Sequence, residues 1–208
     1  GKWLVFDEGA GRGERLAGEL VRRGGTAIRV LPGVDFARRA SDIFEIDPTE
    51  PQHYVQLLAE CCDSTPLVGV LSLWPMRVPA TAPSEAPSRI QRFGTESSLH
   101  LVHALMKSDN TKAPRLWFVT AGSQWVDGTE TPRIEQAPAA ALVRVIATEL
   151  PDLRATLIDI DPQGHSPEIR TLVDELVADS DEIQIALRKG SRHVMRLVRH
   201  QEQSSKHA

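Results

Sequence analysis

Short apolar runs alternate with segments of helical periodicity, and this alternation limits the possible folds more than any other feature of the chain. In the first half, apolar runs predict strands at residues 3–6, 27–31, 43–46 and 67–73. Apolar side chains at helical spacing predict helices between them, at residues 16–21 and 54–61. Strands that alternate with helices in this way are typical of a parallel sheet with helices on both faces.

The second half continues the pattern after a proline-rich polar connection at residues 75–93. It predicts helices at 96–107, 142–150 and 169–177, and strands at 116–119, 155–160, 182–187 and 193–198. Gly190 lies between the last two strands, so they are predicted to form an antiparallel hairpin. The sequence therefore predicts a single α/β domain at residues 1–199, followed by a polar tail or linker at 200–208.

Charge, hydropathy and cysteine content exclude several classes of protein. The formal net charge is −4, which argues against an electrostatic nucleic-acid binder. No apolar run approaches the roughly 20 residues of a membrane span. The two cysteines, Cys61 and Cys62, are adjacent and form neither a disulfide framework nor a metal quartet. We therefore expect a cytoplasmic protein that binds neither nucleic acid nor membrane.

A run of glycines follows the first predicted strand and is the strongest local signal. Gly9, Gly11 and Gly13 stand where a dinucleotide-binding loop brings its backbone close to a pyrophosphate. However, Glu14 replaces the third glycine of that fingerprint, and Glu8 adds a second carboxylate beside the expected phosphates. Negative charge at these positions opposes phosphate binding. We therefore predict a vestigial loop that binds no cofactor.

The same residues leave one alternative open. The pattern Asp7-x-Gly9-x-Gly11-x-Gly13 resembles the first motif of class I methyltransferases, which bind S-adenosylmethionine at this turn. Such enzymes normally carry an acidic residue at the end of the second strand. That strand ends in Pro32 here, and Asp35 lies beyond the usual position. A small S-adenosylmethionine-dependent methyltransferase is kept as the alternative function.

No catalytic or metal-binding constellation emerges from the remaining residues. A short-chain reductase needs a tyrosine with a lysine four residues later, but the single tyrosine is Tyr54 and Leu58 follows it at that spacing. His100 and His103 lack a third ligand, and Asp159-x-Asp161 is more typical of a strand that enters a turn. We predict no catalytic residue and no metal site.

Several segments together resemble one family, the N-terminal structural subdomain of ketoreductase domains in bacterial modular polyketide synthases. The resemblance covers nearly the whole chain in the same order. The segments that carry it are residues 3–7, 71–74, 98–105, 114–120, 136–138, 144–149, 151–154, 158–162, 185–188 and 192–194.

The resemblance implies a truncated, Rossmann-like fold of the short-chain dehydrogenase/reductase type, in which this half binds no cofactor. It implies that NADPH and the catalytic residues belong to a second, catalytic subdomain, which this chain supports as a scaffold. Neighbouring synthase domains (enoylreductase, methyltransferase, dehydratase or acyl carrier protein) are the other partners implied. We expect an apolar docking surface near the hairpin at 182–198.

The chain departs from the family pattern at three places. Residues 139–143 replace a run that is usually rich in tryptophan and glycine, Ser72 stands where histidine is common, and Pro75 follows Trp74. These changes put the usual partner contacts in doubt. A pseudo-ketoreductase, in which the structural half is retained without a catalytic half, therefore remains open.

Overall fold

The computed structural model describes residues 1–61, 65–77, 86–108, 113–126, 131–164, 168–178 and 180–199. Its strands are β1 (Lys2–Phe6), β2 (Thr26–Pro32), β3 (Ala37–Ala40), β4 (Ile43–Ile46), β5 (Leu67–Ser72), β6 (Arg115–Ala121), β7 (Thr156–Ile160), β8 (Gln184–Arg188) and β9 (Ser191–Val194). Its α-helices are α1 (Arg12–Arg22), α2 (Pro51–Cys61), α3 (Ala86–Ile90), α4 (Ser97–Lys107), α5 (Ala137–Glu149) and α6 (Glu168–Val177).

The strands form one mostly parallel sheet in the order β3-β4-β2-β1-β5-β6-β7-β8-β9. Only the two edge pairs, β3 with β4 and β8 with β9, are antiparallel. The strand order reverses direction on either side of β1, as in doubly wound nucleotide-binding folds. The predicted Rossmann-like sheet and its C-terminal hairpin are confirmed.

Helices bury apolar side chains against both faces of this sheet. On one face, α1 contributes Leu16 and Leu20, and α6 contributes Leu172, Val173 and Leu176. On the other face, α2, α4 and α5 enclose a cluster that includes the aromatic rings of Phe6, Tyr54, Trp74 and Phe93. The two-sided burial explains why the central strands read as continuous apolar runs rather than as alternating ones.

Two indole rings stack on one face of the sheet, near its centre. Trp3 on β1 and Trp117 on β6 stack with ring centroids 5.3 Å apart, although β5 lies between their strands. Gly69 on β5 makes room for them, since a Cβ atom there would lie 2.4 Å from the Trp3 ring. Only glycine fits at position 69, because any side chain there would collide with the indole rings.

The structure corrects the sequence prediction in three places. The predicted strand at 193–198 ends at Val194, because Val194 pairs with Ile185 near the start of β8 and little of β8 remains to pair with later residues. Strand β3 was not predicted. In the connection at 75–93, a 3₁₀ turn covers Trp74–Arg77 and α3 leads through a π-helical turn, Gln91–Glu96, into α4.

Two predicted segments lie outside the residues that the structure describes. They are the tail at 200–208 and the middle of the proline-rich connection, residues 78–85. Cys62 is also outside them, whereas Cys61 is buried on α2.

Candidate functional site

The glycine loop lies between β1 and α1, at the carboxyl edge of the sheet. Gly9 and Gly11 both adopt left-handed backbone conformations, with φ of +83° and +80°. Gly11 immediately precedes α1. The loop therefore has the position and the backbone turn of a nucleotide-binding loop, as the spacing of the glycines indicated.

The side chain of Asp7 closes this loop from within. Asp7 is fully buried, and its Oδ1 accepts a hydrogen bond of 2.8 Å from the backbone N–H of Gly9. Its Oδ2 accepts bonds of 3.0 Å and 2.7 Å from Nε and Nη2 of Arg29. A Cβ atom on Gly13 would lie 2.3 Å from Cγ of Asp7. The third glycine thus makes room for a carboxylate of the chain itself, and one loop amide already has its acceptor.

Two further side chains cover the loop from the end of β5. Trp74 Nε1 donates a 3.0 Å hydrogen bond to the carbonyl oxygen of Asp7, and Arg77 Nη1 donates to the carbonyl oxygen of Glu8. The same Arg77 nitrogen would lie 3.1 Å from a Cβ atom on Gly9. The side chains of Trp74 and Arg77 therefore lie against the glycine loop, on the side of β5.

Glu8 is a buried carboxylate beside this loop. Its Oε1 lies 3.4 Å from Nη1 of Arg12, and its Oε2 is buried without a hydrogen-bond partner among the described residues. Burial is the main cause that raises the pKa of Glu8 above the ordinary glutamate value, and the charge of Asp7 adds to it. This arrangement is poor for binding a phosphate at the loop, because a second anion there meets an incompletely neutralised carboxylate.

Replacing Glu8 with glutamine is expected to stabilise the chain at neutral pH. A carboxyl whose pKa is raised on folding opposes folding above its folded pKa, and that penalty is relieved as the pH falls toward the unfolded value. The gain from E8Q is therefore largest near pH 7 and shrinks as the pH approaches 4.5, the ordinary value for glutamate. Urea unfolding at a series of pH values measures this difference.

The control for this prediction is E14Q. Glu14 lies in the first turn of α1, which follows the loop, but its side chain is 70% exposed. Removal of its charge is expected to leave the pH dependence of stability unchanged. An E8Q variant that is less stable than the original chain at pH 7 would contradict the interpretation of Glu8 as a desolvated carboxylate.

Asp159 and Asp161, considered as a cation site from the sequence, take different roles. Asp159 is buried on β7, where its Oδ2 lies 2.5 Å from Nη2 of Arg188. Its Oδ1 accepts hydrogen bonds from the hydroxyl of Thr120 at 2.6 Å and from the backbone N–H of Ser123 at 2.8 Å. Asp161 accepts a bond from the backbone N–H of Gln163. Asp159 therefore belongs to a buried ion pair that ties β6, β7 and β8 together.

Among the described residues, Tyr54, His100 and His103 do not form a site with these aspartates. Tyr54 is buried on α2, where its hydroxyl donates to the carbonyl oxygen of Pro48 and burial raises its pKa well above the ordinary value. His100 packs against the Tyr54 ring, whereas His103 is exposed. Within the described ranges, no group of three or more histidine, cysteine, aspartate or glutamate side chains is placed to hold a metal ion.

Sequence reasoning located the glycines but missed the residues that close the loop. Arg29, Trp74 and Arg77 all act there, and the last two lie 67 and 69 positions along the chain from the residues they contact. The available signal was Asp7, an acidic residue placed directly after a buried strand, which needs partners if it is itself buried.

Among the residues that the structure describes, no helix is both long and apolar enough to cross a bilayer.

Comparisons with known proteins identify the family. The sequence model for the Rossmann fold domain of the polyketide synthase extender module SpnB matches residues 36–197. A phenolphthiocerol/phthiocerol polyketide synthase of Mycobacterium tuberculosis is 34% identical over 131 residues, which is 62% of this chain. The chain spans only 6% of the length of that relative.

Solved structures of ketoreductases share the fold. One is a multidomain structure with adenylation, ketoreductase and pseudo Asub parts from a keto acid-selecting NRPS module, with a TM-score of 0.80 at 23% identity over 92% of this chain and 16% of that one. Another is a C2-type ketoreductase from a modular polyketide synthase, with a TM-score of 0.73 at 24% identity over 96% of this chain and 41% of that one. The relatives are parts of multienzyme synthases, and the matches give no support to the methyltransferase alternative. The chain belongs to the family of Rossmann fold domains described from the polyketide synthase extender module SpnB.

Proposed function

We propose that this chain is a non-catalytic structural subdomain of a polyketide synthase ketoreductase. In this role it supports an NADPH-binding catalytic subdomain, or acts as a pseudo-ketoreductase scaffold among the neighbouring domains of a module. The observation that carries the proposal is the closed glycine loop. Asp7 already accepts the N–H of Gly9, and Arg77 lies against the same glycine.

The residues of the loop do not fit a dinucleotide. A pyrophosphate at this position needs free backbone N–H groups and a neutral or positive surrounding. Here Asp7 and Glu8 bring two buried carboxyl groups to the loop, and only Asp7 is matched by a close bidentate arginine. Tyr54, the one tyrosine, lies in the core with its hydroxyl bonded to the backbone. These features support a role without cofactor chemistry in this chain.

An exposed apolar surface supports a docking role. We use "hairpin surface" for the exposed side chains of Met195, Leu197 and Val198, which follow the C-terminal hairpin, and of Trp125, which follows β6. Trp125 and Met195 also line a cavity of about 190 Å³ with His193 on β9. Exposed apolar side chains grouped in this way are typical of a surface that packs against a partner. The partner proposed for it is the catalytic subdomain.

The experiment combines this chain with the separately expressed ketoreductase catalytic subdomain of a related synthase. We expect the complex to form with the original chain and to be lost in V198D, which places a charge in the hairpin surface. The matched control is V34D, since Val34 is similarly exposed but lies in the turn after β2. Sedimentation velocity measures association, and thermal unfolding checks that both variants fold. Equal binding by V198D and V34D would reject the hairpin surface as the docking site.

Cofactor binding is tested on the chain alone. Micromolar NADPH and S-adenosylmethionine are expected to leave the thermal midpoint of the chain unchanged, because we propose that neither ligand binds. A ligand that binds only the folded state would raise the midpoint by mass action. A rise with S-adenosylmethionine would favour a methyltransferase instead. A rise with NADPH would contradict the proposal that the glycine loop is closed to a cofactor.

A further inference from the structure

The loop that follows β6 holds Trp125 through the backbone of the residues before it. The N–H groups of Ser123 and Gln124 donate to Oδ1 and Oδ2 of Asp159, at 2.8 Å and 3.1 Å. Arg188 donates from Nη2 to the carbonyl oxygen of Gln124 at 3.0 Å. Both backbone polar groups of the residue before Trp125 are therefore bonded to the buried ion pair of Asp159 and Arg188.

Trp125 itself is largely exposed, although the residues that hold its loop are buried. It is 68% exposed, whereas the other three tryptophans of the chain are buried. Its side chain borders the cavity of about 190 Å³ that Met195 and His193 also line. Tryptophan is enriched among the few interface residues that carry most of the binding energy. An exposed tryptophan in a fixed loop at the rim of a cavity is therefore suited to anchor an interface.

The described helices of this chain leave the sheet uncovered beside the cavity. Ile185 and Leu187 on β8 pack with α6 on one face of the sheet. Side chains alternate along a strand, so Ala186 and its pairing partner His193 lie on the other face, where they line the cavity. The core cluster under α2, α4 and α5 on that face contains no residue of β8 or β9. A second body can complete the cover there.

The charge beside this surface is positive. In the described part of the chain, every charged residue after residue 187 is basic. Arg192 and Arg196 form ion pairs with glutamates. Lys189 and Arg199 are exposed and have no acidic partner among the described residues. A partner that presents carboxylates beside its apolar contact complements this distribution of charge.

We propose that Asp159 and Arg188 are positioning residues, which hold Trp125 as the anchor of the hairpin surface against an apolar, acid-flanked patch of the catalytic subdomain. This inference rests on the docking role proposed above, and it adds which residue anchors the contact and what fixes that residue. A buried ion pair is a weak source of stability, since well-packed apolar residues often replace it without loss. Apolar residues cannot bond the N–H and carbonyl groups of Gln124, as this pair does. A contact that is ordered before binding lowers the entropic cost of association.

The first test measures the backbone order of Trp125 in the chain alone. Relaxation of ¹⁵N-labelled tryptophan gives an order parameter for each of the backbone amides, and the buried tryptophans serve as internal references. We expect about 0.85 for Trp125 in the original chain and less than about 0.6 in the double variant D159L/R188M. The control is D174N, because Asp174 forms an exposed ion pair with Arg23 between α6 and α1, and it should match the original chain.

A conservative variant, R188K, keeps the positive charge at this position. Lysine lacks the planar fork with which Arg188 contacts both Asp159 and the carbonyl oxygen of Gln124. We expect an order parameter of Trp125 between those of the original chain and the double variant. R188K decides the positioning role if thermal unfolding shows that D159L/R188M does not fold.

The second test measures affinity for the separately expressed catalytic subdomain of a related synthase by isothermal titration calorimetry. We expect W125A to weaken binding at least about thirtyfold, as for a hot-spot residue, and D159L/R188M at least about tenfold although it keeps Trp125. The control is M106A, which removes a 59% exposed apolar side chain from α4 and should bind as the original chain does. Added NaCl should also weaken binding, because salt screens the unpaired basic residues.

The outcomes distinguish this proposal from the docking role on which it rests. Equal binding by the original chain and W125A would overturn the anchor and leave the docking role in place. An unchanged order parameter of Trp125 in folded D159L/R188M or R188K would overturn the positioning role. The lack of any complex with the original chain would overturn the docking role and the anchor together. Binding that NaCl does not weaken would overturn the acid-flanked patch.

Discussion

Replacement of Asp159 with alanine is expected to destabilise the chain by about 3–5 kcal/mol, the usual effect of removing one partner from a buried ion pair. The side chain of Asp159 is completely buried, and that of its partner Arg188 is 4% exposed. The variant removes the buried carboxylate that pairs with the Arg188 guanidinium. It also leaves the hydroxyl of Thr120 and the N–H of Ser123 without their acceptor. The free energy of unfolding of a typical domain is about 5–15 kcal/mol, so D159A is expected to lose much of the stability of the chain.

Urea unfolding monitored by circular dichroism measures this change, with D174N as the matched control. Asp174 also pairs with an arginine, Arg23, but its side chain is 65% exposed. Exposed pairs contribute about 0–1 kcal/mol, so D174N is expected to unfold close to the original chain. The double variant D159L/R188M is expected to lose less than D159A, because it removes both charges from the interior. If D159A and D174N lower the free energy of unfolding equally, the ion pair of Asp159 and Arg188 is not shielded from water.

The sequence predicted most of the sheet because burial on two faces leaves a direct record in the chain. Residues 3–6 and 116–119 are continuous apolar runs, and β1 and β6 do lie at the centre of the sheet. The edges were harder to predict. β3 contains Arg38 and Arg39 and has no apolar pattern, and it is a strand only because it pairs with β4. Leu197 and Val198 favour a strand, yet no described strand of this chain pairs with them.

The candidate site was predictable only in its local part. The spacing of Gly9, Gly11 and Gly13 indicated the loop that follows β1. The contacts that close the loop were not predictable, since Arg77 reaches Glu8 across 69 positions of the sequence. The same holds for Arg188, which meets Asp159 across 29 positions. Side-chain pairs of this kind depend on the order of strands in the sheet, which no local pattern encodes.

Replacement of Trp74 with alanine is expected to destabilise the chain by about 3–5 kcal/mol, as for other large aromatic residues removed from a core. The indole is 1% exposed and lies edge-on against Phe6, at 4.9 Å, and Phe93, at 6.1 Å. Its Nε1 also satisfies the carbonyl oxygen of Asp7. Truncation therefore opens a cavity in the aromatic cluster and leaves a buried acceptor without its donor. Urea unfolding measures the loss of stability.

W125A is the control, because Trp125 is 68% exposed and its removal is expected to change stability by less than about 1 kcal/mol. W74F keeps most of the ring and loses only the hydrogen bond and part of the volume, so its loss should be intermediate. A W74A variant as stable as W125A would contradict the placement of the Trp74 indole in the aromatic core.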